Sequence, residues 1–251
     1  MHKIAVFDID GTIYREAMSF AVVEALITKF DFPEEEQLLA AARHTYKSRG
    51  STEAYWVYNK TMLEICKRVI RRTTPLQLEE TIADLLRHKQ AYCYAYTLQL
   101  LQQYKAEGRV LIAISGSIAN IVEPFARSIG FEYVVASGLA IEGGTFTGER
   151  VAETKHAKDQ ILRNLVVKHG LSLDDSIGVG DTHRDIAMLD VTEHAIAFNP
   201  NAALYAEAQK RGWDIVLERK NMIYELTPGD SGYVVRQARP IFDDNHQEYL
   251  Q

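Results

Sequence analysis

The stretch IAVFDIDGTIY, residues 4–14, decides how this chain is read. From Lys3 to Phe7 it has none of the polar alternation of a half-exposed strand, which predicts a short strand covered by helices on both faces. The strand runs straight into Asp8 and Asp10, with Gly11 behind them. Two carboxylates at such spacing repel each other, and burying them is costly unless something positive neutralises them. If the chain stays extended, residues i and i+2 face the same way, so both side chains can meet one partner. An Asp-Gly turn is the plainer reading of the same residues. An EF-hand loop is disfavoured, because its glycine stands sixth and Gly11 is the fourth residue counted from Asp8.

The 251 residues, 47% hydrophobic, suffice for one good core or a core domain with a smaller attachment. A net charge of −6 invites neither nucleic acid nor an anionic membrane as a partner. No apolar run approaches the roughly 20 residues of a membrane span. A strand beginning at residue 3 leaves no room for a signal peptide, so a cytoplasmic protein is expected. Cys66 and Cys93 lack metal-ligand spacing and are expected as reduced thiols.

From about Ser19 to His88 the chain is rich in Ala, Leu, Glu, Arg and Lys, with Gly50 its only glycine, and four helices are expected there. Pro33 with Glu34, Glu35 and Glu36 marks one helix start, and Thr74-Pro75-Leu76-Gln77 has the form of a capping box. Beyond this block the pattern alternates. Helices are expected over Leu98–Glu107, Ile118–Ile129, His156–His169 and through Leu189. Strands are expected over Arg109–Ile114, Phe131–Ala136, Ser176–Val179, His194–Phe198 and Asp214–Leu217, with a hairpin at 141–148. Such alternation predicts an α/β fold with a doubly wound parallel sheet and the all-helical block inserted after its first strand. The segment from Thr227, with Pro228, Gly229, Gly232 and Pro240, reads as irregular.

Doubly wound sheets bind ligands beyond the carboxyl ends of their strands. The polar residues expected there are Asp8, Asp10, Ser115, Gly116, Asp181 and Asp185, with Lys158 at the start of the helix before the last of these strands. Four carboxylates and a lysine at one mouth suit a hard divalent cation such as Mg²⁺, which takes oxygen ligands and commonly shares its shell with a substrate phosphate.

DIDGT at 8–12, ISGS at 114–117, Lys158 and GDTHRD at 180–185 resemble, in order and spacing, the four motifs of the haloacid dehalogenase superfamily. The stretch from Lys158 to Pro200 and the helical insertion look closest to its phosphoserine-phosphatase-like branch, which carries a small helical cap. The resemblance covers the chain to about residue 218. It implies an α/β catalytic core at 1–14 and 91–226, a helical cap at 15–90, and a C-terminal extension at 227–251. It also implies a Mg²⁺-dependent phosphomonoesterase that hydrolyses a small phosphorylated metabolite through an aspartyl-phosphate. In that chemistry Asp8 attacks phosphorus and Asp10 serves as general acid and base. Ser115, the N–H of Gly116, Lys158 and Arg184 would hold the phosphate, and Mg²⁺ would be bound by Asp8, the Asp10 carbonyl, Asp181 and Asp185. A phosphotransferase or phosphomutase, or a non-catalytic phosphate-binding relative, is the alternative.

Plainer roles stand beside several of these. Ser115-Gly116-Ser117 also fits a strand-to-helix turn with a serine N-cap, Asp185 a first-turn dipole residue, and His183 a solvated side chain. Lys155 competes with Lys158, three residues on. Lys67, Arg68, Arg71 and Arg72 fit the end of a helix better than an anion site. Tyr92, Tyr94 and Tyr96 are expected as packing residues where the insertion rejoins the core. Gly11 stands where phosphoserine phosphatases carry serine, and their cap glutamate would fall near Ala17, one residue from Glu16. Phosphoserine therefore does not carry over as the substrate.

Overall fold

In strand β1 (His2–Phe7), Ile4 and Val6 face one side of the sheet while Ala5 and Phe7 face the other, and all four are fully buried. The computed structural model, which describes residues 2–49, 52–87, 92–151, 154 and 157–241, places this strand inside an eight-stranded sheet. Its parallel neighbours are β2 (Val110–Ile118) and β6 (Leu171–Gly180). Beyond β2 lies β3 (Tyr133–Ser137); beyond β6 lie β7 (His194–Phe198) and β8 (Asp214–Arg219), all parallel. The chain therefore steps from β1 toward one edge and returns to the other side of it. This makes the carboxyl ends of β1, β2 and β6 the crevice of the fold. A separate hairpin pairs β4 (Leu139–Glu142) with β5 (Thr145–Arg150), as the sequence predicted.

Ile4 and Val6 pack with Leu162, Met188, Leu189 and Leu204 of α7 (Lys158–His169), α8 (Ile186–Asp190) and α9 (Ala202–Arg211). On the opposite face Ala5 and Phe7 pack with Leu101, Tyr104 and Phe125 of α5 (Ala95–Ala106) and α6 (Ala119–Ile129). Burial on both sides is the reason the strand lacks polar alternation. The same apolar cluster continues into the inserted helices α1 (Met18–Lys29), α2 (Pro33–Arg49), α3 (Thr52–Arg71) and α4 (Pro75–Leu86) through Leu26, Ile65, Val69 and Leu78. Thr74 and Gln77 form the expected capping box. Two of the four basic residues at the end of α3 are engaged within the fold: Arg71 donates to the Thr147 carbonyl at 2.9 Å, and Arg72 pairs with Glu35 at 3.1 Å. Cys66 and Cys93 are buried and not joined to each other.

Two expectations change. The segment from Thr227 is not irregular: β9 (Met222–Gly229) and β10 (Gly232–Pro240) add an antiparallel hairpin to the edge of the sheet. Most of β10 is exposed, so it carries no apolar alternation for a sequence pattern to reveal. Strand β2 does not stop at Ile114. Its pairing with β3 passes from Ile114↔Val135 to Ile118↔Ser137, so Ser115, Gly116 and Ser117 form a bulge within it rather than a turn after it.

The chain leaves the core after Ile13 and returns before Ala95, and these two passages pair. The Arg15 N–H donates to the Tyr92 carbonyl and the Tyr94 N–H to the Ile13 carbonyl, each at 2.9 Å, while Tyr14 and Tyr92 stack. Tyr94 and Tyr96 pack on Phe198. A buried carboxylate, Glu218 at the end of β8, accepts from the N–H groups of Ala95 and Tyr96 and pairs with Arg15 at 2.8 Å. It caps α5, whose own N-cap residue, Tyr94, makes no side-chain cap bond.

Removing that carboxylate would leave two helix N–H groups without their acceptor, and the Arg15 guanidinium with only the Cys93 carbonyl as hydrogen-bond acceptor among the described residues. Glu218→Ala is expected to lower stability by about 2–3 kcal/mol, read from the midpoint of a urea unfolding curve. Loss of less than about 0.5 kcal/mol, the range of an ordinary surface change, would contradict this account.

Candidate active site

Asp8 follows the last residue of β1 and is held in the sheet's line by its N–H, which donates to the Val179 carbonyl of β6 at 2.9 Å. Its side chain is buried, and Lys158 Nζ approaches Asp8 Oδ1 at 2.5 Å. The same ammonium reaches Asp185 Oδ1 at 2.6 Å. Lys158 is itself 3% exposed, so these contacts form away from bulk water. The other oxygen of Asp185 accepts from the N–H groups of Asp181 and Thr182, at 3.2 and 3.0 Å, and so closes the loop after β6. Asp8, Asp181 and Asp185 each bring a carboxylate oxygen within 4.8 Å of the others.

Glycine makes this convergence possible at two places. Gly11 has φ +82°, a conformation that strains any residue with a Cβ, and a Cβ there would lie 2.1 Å from Asp181 Oδ2. A Cβ on Gly180 would meet the Asp185 side chain at 2.5 Å.

The crowding is visible in the electrostatics. Burial pushes the Asp8 carboxyl up to about 7; Lys158 pulls against this, and Asp185 and Asp10 reinforce it. Burial, with Asp8 and Asp185 beside it, drives Asp181 up to about 9. For Lys158 burial works against the charge, but Asp8 and Asp185 outweigh it and hold the ammonium above the ordinary lysine range. One lysine thus leaves the carboxylates under-compensated. The donor set is all oxygen, with no sulfur or imidazole, which suits a hard cation rather than a soft one.

Asp10 sits differently. Its Oδ1 accepts from the Met18 N–H at 2.6 Å, and so caps α1, whose N-cap position is filled by Ala17. Its Oδ2 accepts from the Ser117 hydroxyl. Burial raises its pKa, and these two donors oppose the rise.

Ser115, fully buried, accepts at Oγ from the Ser117 N–H at 3.0 Å, while the Thr154 hydroxyl donates to its carbonyl. The Gly116 carbonyl accepts from Ser137 at 3.3 Å. The structure therefore brings Asp8, Asp181, Asp185 and Lys158 into one cluster and sets Asp10 and the 115–117 bulge in contact with each other. Arg184 and His183 are exposed on the short 3-10 helix His183–Asp185, outside that buried group, and His183 meets the Asn201 side chain at 3.2 Å. Lys155 lies outside the described residues.

Two contacts escaped the reading of the sequence. Ser117 stood there only as part of a motif, and its partner Asp10 is 107 residues away. In the insertion, Arg43 of α2 pairs with Glu24 of α1 at 2.5 Å, and Tyr58 of α3 lies close to both. No local pattern announces either.

The sequence profile of the haloacid dehalogenase-like hydrolases matches residues 5–190, a span that contains every residue of the cluster. The chain belongs to that family. A probable phosphatase of Mycobacterium tuberculosis is 26% identical over 223 residues, covering 84% of this chain and 74% of its own length. The phosphoserine phosphatase of Methanocaldococcus jannaschii is 28% identical over 163 residues, 64% of this chain and 66% of that one. Among solved structures, a Bordetella pertussis protein of unknown function aligns with a TM-score of 0.66 at 20% identity, covering 86% of this chain and 98% of that one. A phosphoserine phosphatase holding a phospho-aspartyl intermediate analogue aligns with a TM-score of 0.57 at 19% identity, covering 87% and 94%. At these identities the structural likeness is one of fold: a mostly parallel sheet flanked by helices.

Gly11→Ala tests how tightly the cluster is packed. The substitution is expected to destabilise the protein by about 1–2 kcal/mol through its positive φ. By moving Asp181 it should also lower turnover on the order of a hundredfold. A variant with wild-type melting temperature and activity would show that the loop accommodates a side chain.

Proposed function

We propose that the protein is a Mg²⁺-dependent phosphomonoesterase that hydrolyses a small phosphorylated metabolite through an aspartyl-phosphate on Asp8. The observation that carries this reading is the shared ammonium of Lys158, which ties together the carboxylates of Asp8 and Asp185 from two strand ends. The names of the relatives support the reaction class.

In this reading Lys158 fixes the Asp8 carboxylate through Oδ1 and offsets charge on the incoming phosphate. Asp8 attacks phosphorus in line, and Asp10 protonates the departing oxygen, then takes a proton from the water that hydrolyses the intermediate. Ser115 and the Gly116 N–H orient phosphoryl oxygens, with Arg184 a further contact at the rim. Asp8, the Asp10 carbonyl, Asp181 and Asp185 are the groups that would hold Mg²⁺, which supplies charge compensation to carboxylates and phosphate alike. Phosphoryl transfer depends chiefly on such positioning and charge stabilisation. Residues 15–90 act as the cap over this site, and 1–14 with 91–226 as the catalytic core, whose sheet the β9–β10 hairpin continues past residue 226.

Release of phosphate from p-nitrophenyl phosphate is expected to stop on chelation and to return when Mg²⁺ is added back. Asp8→Asn is expected to abolish it, and Asp10→Asn to lower its turnover number by about 10²–10⁴-fold by slowing hydrolysis of the intermediate, the step in which Asp10 serves as base. Activity that survives either chelation or Asp8→Asn overturns the proposal.

A further inference from the structure

Asp10 has both carboxylate oxygens engaged, and the two engagements differ in kind. Oδ1 receives a backbone N–H, which can only donate, so a proton on the carboxyl belongs on Oδ2. Oδ2 meets the Ser117 hydroxyl, which can donate to a carboxylate or accept from a carboxylic acid at the same place. The Ser117 side chain is not spent on the helix that follows. The N-cap of α6 is Ile118, and that cap has no side-chain hydrogen bond.

The Ser117 backbone is held as well. Its N–H donates to Ser115 Oγ at 3.0 Å, and the carbonyls of Ser115 and Gly116 are bound by Thr154 and Ser137. Because Ser115–Ser117 bulge out of β2, the Ser117 side chain turns toward Asp10 instead of standing in the alternation of the sheet.

We propose that Ser117 is a positioning residue for the acid–base carboxyl, one that aims Asp10 Oδ2 at the leaving-group oxygen. The inference rests on the reading of Asp10 given above. In the first half-reaction the bond from phosphorus to the ester oxygen breaks as phosphorus bonds to Asp8. The proton on Oδ2 passes to that ester oxygen, an alcohol departs, and the Ser117 hydroxyl then donates to the carboxylate left behind. In the second half-reaction water bonds to phosphorus as the bond to Asp8 breaks. The water's proton goes to Oδ2 and inorganic phosphate is released.

The test compares kcat/KM on two esters. p-Nitrophenolate leaves without needing a proton, whereas the alkoxide of a simple alkyl phosphate needs one. Ser117→Ala should lower kcat/KM for the alkyl ester by about tenfold or more, and for the aryl ester by less than about threefold. Ser117→Thr, which keeps the hydroxyl, should restore the alkyl ester to within about threefold of wild type. The retained aryl activity reports that the alanine variant is folded. Equal losses on the two esters would reduce Ser117 to a support of the loop and overturn the proposal, as would an unchanged alkyl rate. Asp10→Asn, run in parallel, separates the two levels of inference. Selective loss with Asp10→Asn but not with Ser117→Ala overturns the role of Ser117 alone, whereas unselective loss with Asp10→Asn overturns the acid–base reading and this inference together.

Discussion

The ammonium of Lys158 is the contact on which the rest of the arrangement depends. It is buried, and it touches carboxylates that arrive from the ends of two different strands, Asp8 after β1 and Asp185 after β6. Ion pairs of this kind are poor sources of net stability, because the desolvation of each charge consumes most of the attraction. Their value lies in specifying one geometry. Lys158 can meet both partners only if α7 packs beside β6 and the loop after β6 turns back on itself, which Asp185 secures by accepting from Asp181 and Thr182. The absent side chains of Gly11 and Gly180 are the steric half of the same requirement.

Burial raises the carboxyls of Asp8 and Asp181, and the neighbouring carboxylates add to the rise that Lys158 opposes. Under the proposed function, a divalent cation and a phosphate dianion would together offset this cost, since each relieves what the other leaves over. The sheet supplies the place. Order reverses around β1, so three strand ends open onto one crevice, and helices cover both faces beneath it.

How much of this could be read from residues alone follows a physical division. The apolar run before Asp8 was legible because both faces of β1 are buried. The insertion was legible because it is rich in helix-forming residues and carries helix-start signals at Pro33–Glu36 and Thr74–Gln77. The acidic cluster was legible because each member sits in a short contiguous motif behind a strand. The hairpin β9–β10 was not, since an exposed edge strand needs no apolar period. Neither was the bulge at Ser115–Ser117, whose register is fixed by β3 rather than by its own residues. Glu218, just past the strand expected at Asp214–Leu217, shows its role only when β8 carries it to the first turn of α5. The bulge and the role of Glu218 depend on pairings across long sequence separation, whereas the hairpin is local and hidden by its exposure.

One consequence concerns how the insertion and the chemistry are joined. Lys158 holds Asp8 and Asp185, and backbone N–H groups of the core hold Asp185 in turn. Of these carboxylates, among the described residues, Asp10 is the one that spans the boundary, with Oδ1 on the first turn of α1 and Oδ2 on the bulge of β2. A displacement of α1 relative to the sheet therefore acts on the orientation of Asp10 before it disturbs the contacts of Lys158. The linkers at Ile13–Arg15 and Tyr92–Tyr94, paired with each other and clamped by Glu218, confine where such a displacement can pivot. In this fold the position of the helical insertion and the aim of one carboxyl group are a single structural variable, because the same carboxylate that caps α1 faces the bulge beside Ser115.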